Sequence, residues 1–157
     1  MLPTLASPGD RAAIDARLAT LTPESQRRWG RMTAPQMICH CTDVFRGFLG
    51  ERVGSKPAPK AGLMGRTIVK WVGVWSPIPW PHGFRTSALV DAERGGTKPA
   101  EWERDVAELR AATDRFVQAL PMLARERAHF AFGPMSEWEW ARWGWRHVNH
   151  HLTQFVA

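Results

Sequence analysis

Along most of the chain apolar residues recur every three to four positions, and no long run alternates at period two. The pattern predicts helices throughout. A first helix, capped by Ser7 or Asp10, is expected to run to about Leu21, with Ile14, Leu18 and Leu21 on one side. Thr33 and Gln36 form a capping box, with Pro35 in the first turn where its missing N–H costs nothing. A second helix is therefore expected from about Ala34 to Leu49, stopping near Gly50 and burying Met37, Cys41, Val44, Phe45 and Phe48. Residues 50–61 read as a linker from their Gly, Pro and Lys content, and Gly62–Val74 as a shorter helix. Prolines at every second position forbid a helix over Ser76–Gly83, so an extended crossover is expected there, continuing through Arg85–Val90. From Pro99 or Ala100 to about Leu120 the apolar stripe Trp102, Val106, Leu109, Thr113, Phe116, Leu120 predicts a long amphipathic helix. Ser136 and Glu139 form another capping box that opens a last, Trp-rich helix. The sum is an all-α, four-helix bundle with a long proline-rich crossover and one extra short helix. At 157 residues the chain suffices for one domain, 1–157, with a real core.

Composition narrows the function classes. The net charge is +6, but the basic residues are scattered and form no dense tract, so the charge reads as solvated surface and no nucleic-acid partner is expected. Ala61–Trp80 is too interrupted by Arg66, Lys70 and prolines to span a bilayer. Association of Gly62–Trp80 with a membrane surface through Trp71, Trp75 and Trp80 ranks last among the readings, and no membrane partner is expected. The N-terminus lacks a basic start followed by an apolar stretch, which leaves a soluble, cytoplasmic protein as the expectation. Cys39 and Cys41 diverge by about 200° on a helix and read as buried free thiols.

The candidate chemistry lies in the last helix. His147 and His151 are one turn apart, with Cβ atoms about 6 Å apart, and sit in the middle of its apolar face. Arg142, Arg146, Asn149 and Thr153 fall on the opposite side, and Gly144, one turn earlier, is expected to leave open space for a pocket. A lone pair of histidines at this spacing is more often structural than metal-binding. His40, on the flank of the second helix, is the candidate third ligand. Three neutral imidazoles suit Zn, Ni or Fe as a divalent ion and leave a coordination position for water or substrate.

Three blocks of the sequence carry a resemblance. They are W-G-x-M-x-x-x-Q-M-x-x-H over Trp29–His40, H-x-F-x-G-x-x-x-x-x-x-W over His129–Trp140 (its His, Gly and Trp at His129, Gly133 and Trp140, with Ala131 at its Phe position), and H-x-x-H-H-L-x-Q-F over His147–Phe155. The chain resembles the DinB-like superfamily, which includes the bacillithiol and mycothiol transferases, and within it an uncharacterised branch. The resemblance implies a metal-binding four-helix bundle with His40, His147 and His151 as ligands, and supplies no reaction.

The functional expectation is a divalent-metal-dependent enzyme acting on a small molecule, either a transferase using a thiol or a hydrolase. The alternative is a non-catalytic, metal-stabilised binding or stress protein. Secondary candidates are His129, as a proton carrier or second-sphere donor; Asp43, to orient an imidazole or accept a proton; and Arg85, to meet an anionic substrate. For each, a structural role is the plainer reading. His150 reads as a spare ligand or an interface residue. Nine tryptophans exceed what a small core needs, and with the dimers common in that superfamily they make a homodimer one expected assembly.

Overall fold

The computed structural model describes residues 2–52, 62–83 and 87–155. Among the described residues five α-helices surround one core: α1 (Pro8–Leu18), α2 (Ala34–Leu49), α3 (Trp102–Gln118), α4 (Leu120–Glu126) and α5 (Glu137–Leu152). The fold is all-α apart from a small antiparallel ribbon in which β1 (Ala128–His129) pairs with β2 (Gly133–Pro134). Both capping boxes form: the side chains of Thr33 and Ser136 accept from the N3 amides of α2 and α5, and Gln36 and Glu139 reach back to the cap amides. α2 ends at Gly50, whose φ of 79° is left-handed and suits glycine. α1 stops at Leu18, three residues short of expectation. The Thr20 hydroxyl takes the Arg17 carbonyl, and Pro23 bars Thr22 from continuing the helix, while Leu21 still buries its side chain.

The long helix after the crossover is divided. Pro121 brings no N–H and clashes with the preceding turn, so α3 closes at Gln118 and α4 starts afresh, burying Leu120 and Leu123. α2 packs on α3 and on α5, which also carries α1 and α4, and α3 reaches α5 through Phe116 against Trp140 and Trp143. Trp140, Phe45 and Phe116 are fully buried at the centre, with Phe48 and Trp143 edge-on to one another. Removing side chains of this size from water stabilises the fold by roughly 2–3 kcal/mol apiece as an upper bound.

The short helix expected before the crossover forms, with an unusual winding, and the arginine side of α5 differs from expectation. Gly62–Val74 is helical but mostly π-wound, over Gly65–Val69 and Trp71–Trp75. The polar side of α5 is only partly solvated: Thr153 is exposed and Asn149 half-buried, but the arginines are not exposed. Arg142 and Arg146 are buried beneath this segment and the proline crossover. Arg142 donates to the carbonyls of Val74 (3.2 Å) and Pro3 (2.9 Å), and Arg146 to those of Val72 (3.3 Å), Ser76 and Ile78. An irregular, proline-rich strand cannot satisfy its own carbonyls. Guanidinium groups, each with five donors, do so here. Burial lowers the Arg146 pKa to about 10, helped by the neighbouring Arg142 charge, and the group remains cationic at neutral pH.

Candidate metal centre

α2 and α5 bring His40, His147 and His151 together, although more than a hundred residues separate His40 from the other two. One ring nitrogen from each lies within 4.8 Å of the others. Ring centroids are 4.6 Å apart for His40 and His151, 4.7 Å for His147 and His151, and 5.4 Å for His40 and His147. His40 and His151 are buried. His147 keeps some exposed surface, but its Nε2 is out of solvent and has no hydrogen-bond partner among the described residues.

The hydrogen bonds orient the rings. A short 3₁₀ turn, Ala88–Val90, places the Val90 carbonyl 2.8 Å from His40 Nδ1, and the Gln154 Oε1 lies 2.7 Å from His151 Nδ1. Both oxygens can only accept, so each Nδ1 carries the proton and each Nε2 presents its lone pair. Gln154 is itself wedged: its Nε2 would lie 2.7 Å from a Cβ on Gly30, and its main-chain carbonyl accepts from Arg28 N at 2.6 Å. Trp143 stacks on His147 at 5.3 Å.

Burial is the main reason that all three imidazoles resist protonation. For His147 the neighbouring His151 and His40 add to it; for His151 His40 adds to it while the Gln154 hydrogen bond opposes it; and for His40 the Val90 carbonyl and the charges of Asp43 and Asp91 partly oppose it. The three rings are therefore neutral at pH 7. Converging buried lone pairs with no donor to satisfy them are costly unless something fills the space between them. A cation fits that need, so this donor set could hold a divalent metal ion.

The secondary candidates are dispersed. Asp43 is buried, but both carboxylate oxygens are engaged, by the Thr97 amide (2.7 Å) and hydroxyl (2.8 Å) and by Arg52. It staples the residues after the crossover to α2. His129 sits in β1, stacked between Phe48 and Phe132, and Trp143 lies between it and His147. Its Nδ1 accepts from Ala131 N at 3.1 Å, and burial pushes its pKa down to about 3. Arg85 lies outside the described residues. His150 borders the site, 5.4 Å from His151, and contacts Trp29, Trp80 and His82. Both cysteines are buried and free. Burial, together with the nearby Asp105 and Asp43 charges, pushes Cys39 up to about 12, and burial pushes up Cys41.

The space expected beside Gly144 is filled. A Cβ there would lie 2.8 Å from Leu5 Cδ1 and 3.0 Å from Phe116 Cε1, so glycine permits close packing and opens no pocket. A cavity of about 140 Å³ lies instead among α1, α3 and α5, lined by Leu5, Ile14, Leu109, Thr113 and Val148 and away from the imidazoles. The crossover does reach the site. Trp80 donates to Gly73 O at 2.9 Å and lies 6.3 Å from His147, and His82 stacks on Trp29 at 3.9 Å. Gln154 and the Val90 carbonyl escaped sequence reasoning. The glutamine was legible as a polar residue three positions after His151, but the carbonyl left no side-chain signal.

A family model described as the DinB superfamily matches residues 9–155. No curated protein matches the chain, and no solved structure does.

Proposed function

The chain belongs to the DinB superfamily, and from that footing we propose that it is a metal-dependent enzyme that transfers a thiol to, or hydrolyses, a small molecule. The observation that carries the reading is the convergence of three neutral imidazoles, two of which, His40 and His151, have their outward nitrogens fixed by the Val90 carbonyl and Gln154. His40, His147 and His151 would hold the ion. A divalent ion on three protein ligands accepts a further ligand and draws the pKa of a water or thiol held there toward neutrality.

The surrounding residues bind, orient and exclude. Trp143 and Trp80 flank His147, while Trp29, His82 and His150 form an aromatic border on the side of the crossover. Such walls favour a substrate with an apolar or planar part and keep bulk water from the reacting group. The protein's own thiols are protonated and turned into the core, so a thiol reactant would come from solution. Asp43 and Asp91, the acids nearest His40, are already engaged, by Thr97 and Arg52 and by Glu93 N, so their carboxylates fix the surrounding backbone; activation of a nucleophile would be what a bound ion supplies.

The filled space at Gly144 favours a second reading, a metal-stabilised binding protein without chemistry. Cobalt substitution separates the two. An exogenous thiol that shifts the visible spectrum of the cobalt protein marks an accessible coordination position, and an unchanged spectrum supports the second reading. The metal assignment is tested first, by elemental analysis of the purified protein. About one equivalent is expected, lost in His40→Ala, His147→Ala and His151→Ala. Metal-free wild type with an unaltered melting temperature in His147→Ala would remove the whole proposal.

A further inference from the structure

The oxygen that orients His40 belongs to a loop with little core to rest on. Ser87, Ala88 and Leu89 are exposed and Val90 is only half-buried, so burial contributes little to seating the turn that carries the Val90 carbonyl. The loop is instead wound tightly on itself. Gly95 N donates to Ala88 O at 2.9 Å, and Gly96 N donates to Asp91 O at 2.8 Å. A Cβ on Gly95 would lie 2.9 Å from the Ala88 oxygen, and one on Gly96 would lie 2.7 Å from the Asp91 carbonyl carbon. Residues 88–96 therefore hold together as a unit, and whatever fixes their C-terminal end also fixes the Val90 carbonyl.

Asp43 fixes that end. It follows His40 by three positions, one turn along α2, and its side chain is 1 % exposed. Its carboxylate accepts from the Thr97 amide at 2.7 Å and from the Thr97 hydroxyl at 2.8 Å. Arg52 pairs with the same carboxylate and donates to Gly95 O at 2.9 Å, which ties the glycine turn to α2 a second time. Hydrogen bonds and ion pairs on a buried carboxylate are the strong ones. The charges on the outer side of the loop weigh less. Arg31 and Arg94 approach Asp91 at 3.7 Å and 3.9 Å, but they are 74 % and 64 % exposed, and solvent screens them. Among the described residues no hydrogen bond joins Asp43 to the His40 ring, whose Nδ1 is taken by Val90 O. The carboxylate acts on the ring at one remove.

We propose that Asp43 is a positioning residue for His40: through Thr97, Arg52 and the 88–96 loop it keeps the Val90 carbonyl on Nδ1 and leaves the Nε2 lone pair available to a metal ion. The inference rests on reading the three imidazoles as a metal centre. Without the carbonyl, the ring's proton is no longer confined to Nδ1 and can occupy Nε2 instead. An ion then has to displace that proton, and affinity falls.

Long-range proton–nitrogen correlation NMR of the metal-free full chain reads which nitrogen of each ring carries the proton, with His40 assigned from its absence in His40→Gln. In the wild type the proton is expected on Nδ1 of both His40 and His151. In Asp43→Ala the His40 proton shifts wholly or partly to Nε2, while His151, held by Gln154, keeps its proton on Nδ1. Zinc affinity, by titration calorimetry, falls about tenfold or more in that variant. Thr97→Ala changes an exposed residue and removes one of the ties, so it gives a smaller shift at His40 in the same direction. Far-ultraviolet circular dichroism checks both folds, and Thr97→Ala decides if Asp43→Ala does not fold. Three results overturn the proposal: a His40 proton that stays on Nδ1 in the folded variants, a shift of His40 and His151 together, or a zinc affinity that is unchanged despite the His40 shift. A wild type that binds no zinc yet shows the shift at His40 alone removes the metal reading and upholds the positioning of the ring by Asp43.

Discussion

His129 makes a quantitative test of how this core treats a buried titratable group. It is enclosed by Phe48, Phe132, Trp140 and Trp143, and burial holds its pKa near 3 in the folded protein. In the unfolded chain a histidine titrates near 6.5. The folded value is depressed, so the unfolded state binds the proton first, and stability falls as the pH drops below about 6.5. At pH 5 the unfolded chain gains about 2 kcal/mol from this one residue, rising to about 5 kcal/mol below pH 3. Other buried histidines contribute in the same direction, so the clean quantity is a double difference. Urea unfolding followed by tryptophan fluorescence, with a chelator present, gives the stability of wild type and His129→Phe at pH 7.5 and at pH 5. The variant leaves Ala131 N without its acceptor, at a cost of about 1–2 kcal/mol at both pH values. Its loss between the two pH values should be smaller than that of the wild type by about 2 kcal/mol. Equal losses would mean that His129 is protonated in the fold and that the burial argument is wrong.

Three further substitutions probe the scaffold and the site. Gly144→Ala gains about 1 kcal/mol of helix propensity but meets Leu5 and Phe116, both fully buried, so overpacking by about 1–3 kcal/mol should win. Calorimetry should show a melting temperature lower by about 2–4 °C, and a rise would contradict the close packing. Gln154→Leu frees the His151 ring and should weaken zinc or cobalt binding about tenfold by titration calorimetry while the fold survives; unchanged affinity would deny the glutamine its orienting role. Arg146→Met leaves the Val72, Ser76 and Ile78 carbonyls without their donor and should cost about 3 kcal/mol, read as a clear drop in thermal midpoint. A variant as stable as wild type would show that water satisfies those carbonyls.

What the sequence determined by itself was local. Thr33 with Gln36, Ser136 with Glu139 and Gly50 are short-range signals of where helices begin and end, and they act within one turn of chain. The spacing of His147 and His151 on one apolar face is equally local, and the matching blocks pointed to the family and to His40. Tertiary structure decided everything that depends on which surfaces meet. The same glycine spacing is compatible with a pocket or with tight packing, and only the arrival of Leu5 and Phe116 chose packing at Gly144. The arginines of α5 read as solvated until a strand that cannot bond its own carbonyls settles over them. A sequence records which groups a residue can offer. Whether a lone pair faces a donor, a cation or water is fixed by neighbours that are remote along the chain, and for His40 that neighbour is the backbone carbonyl of Val90, 50 residues away.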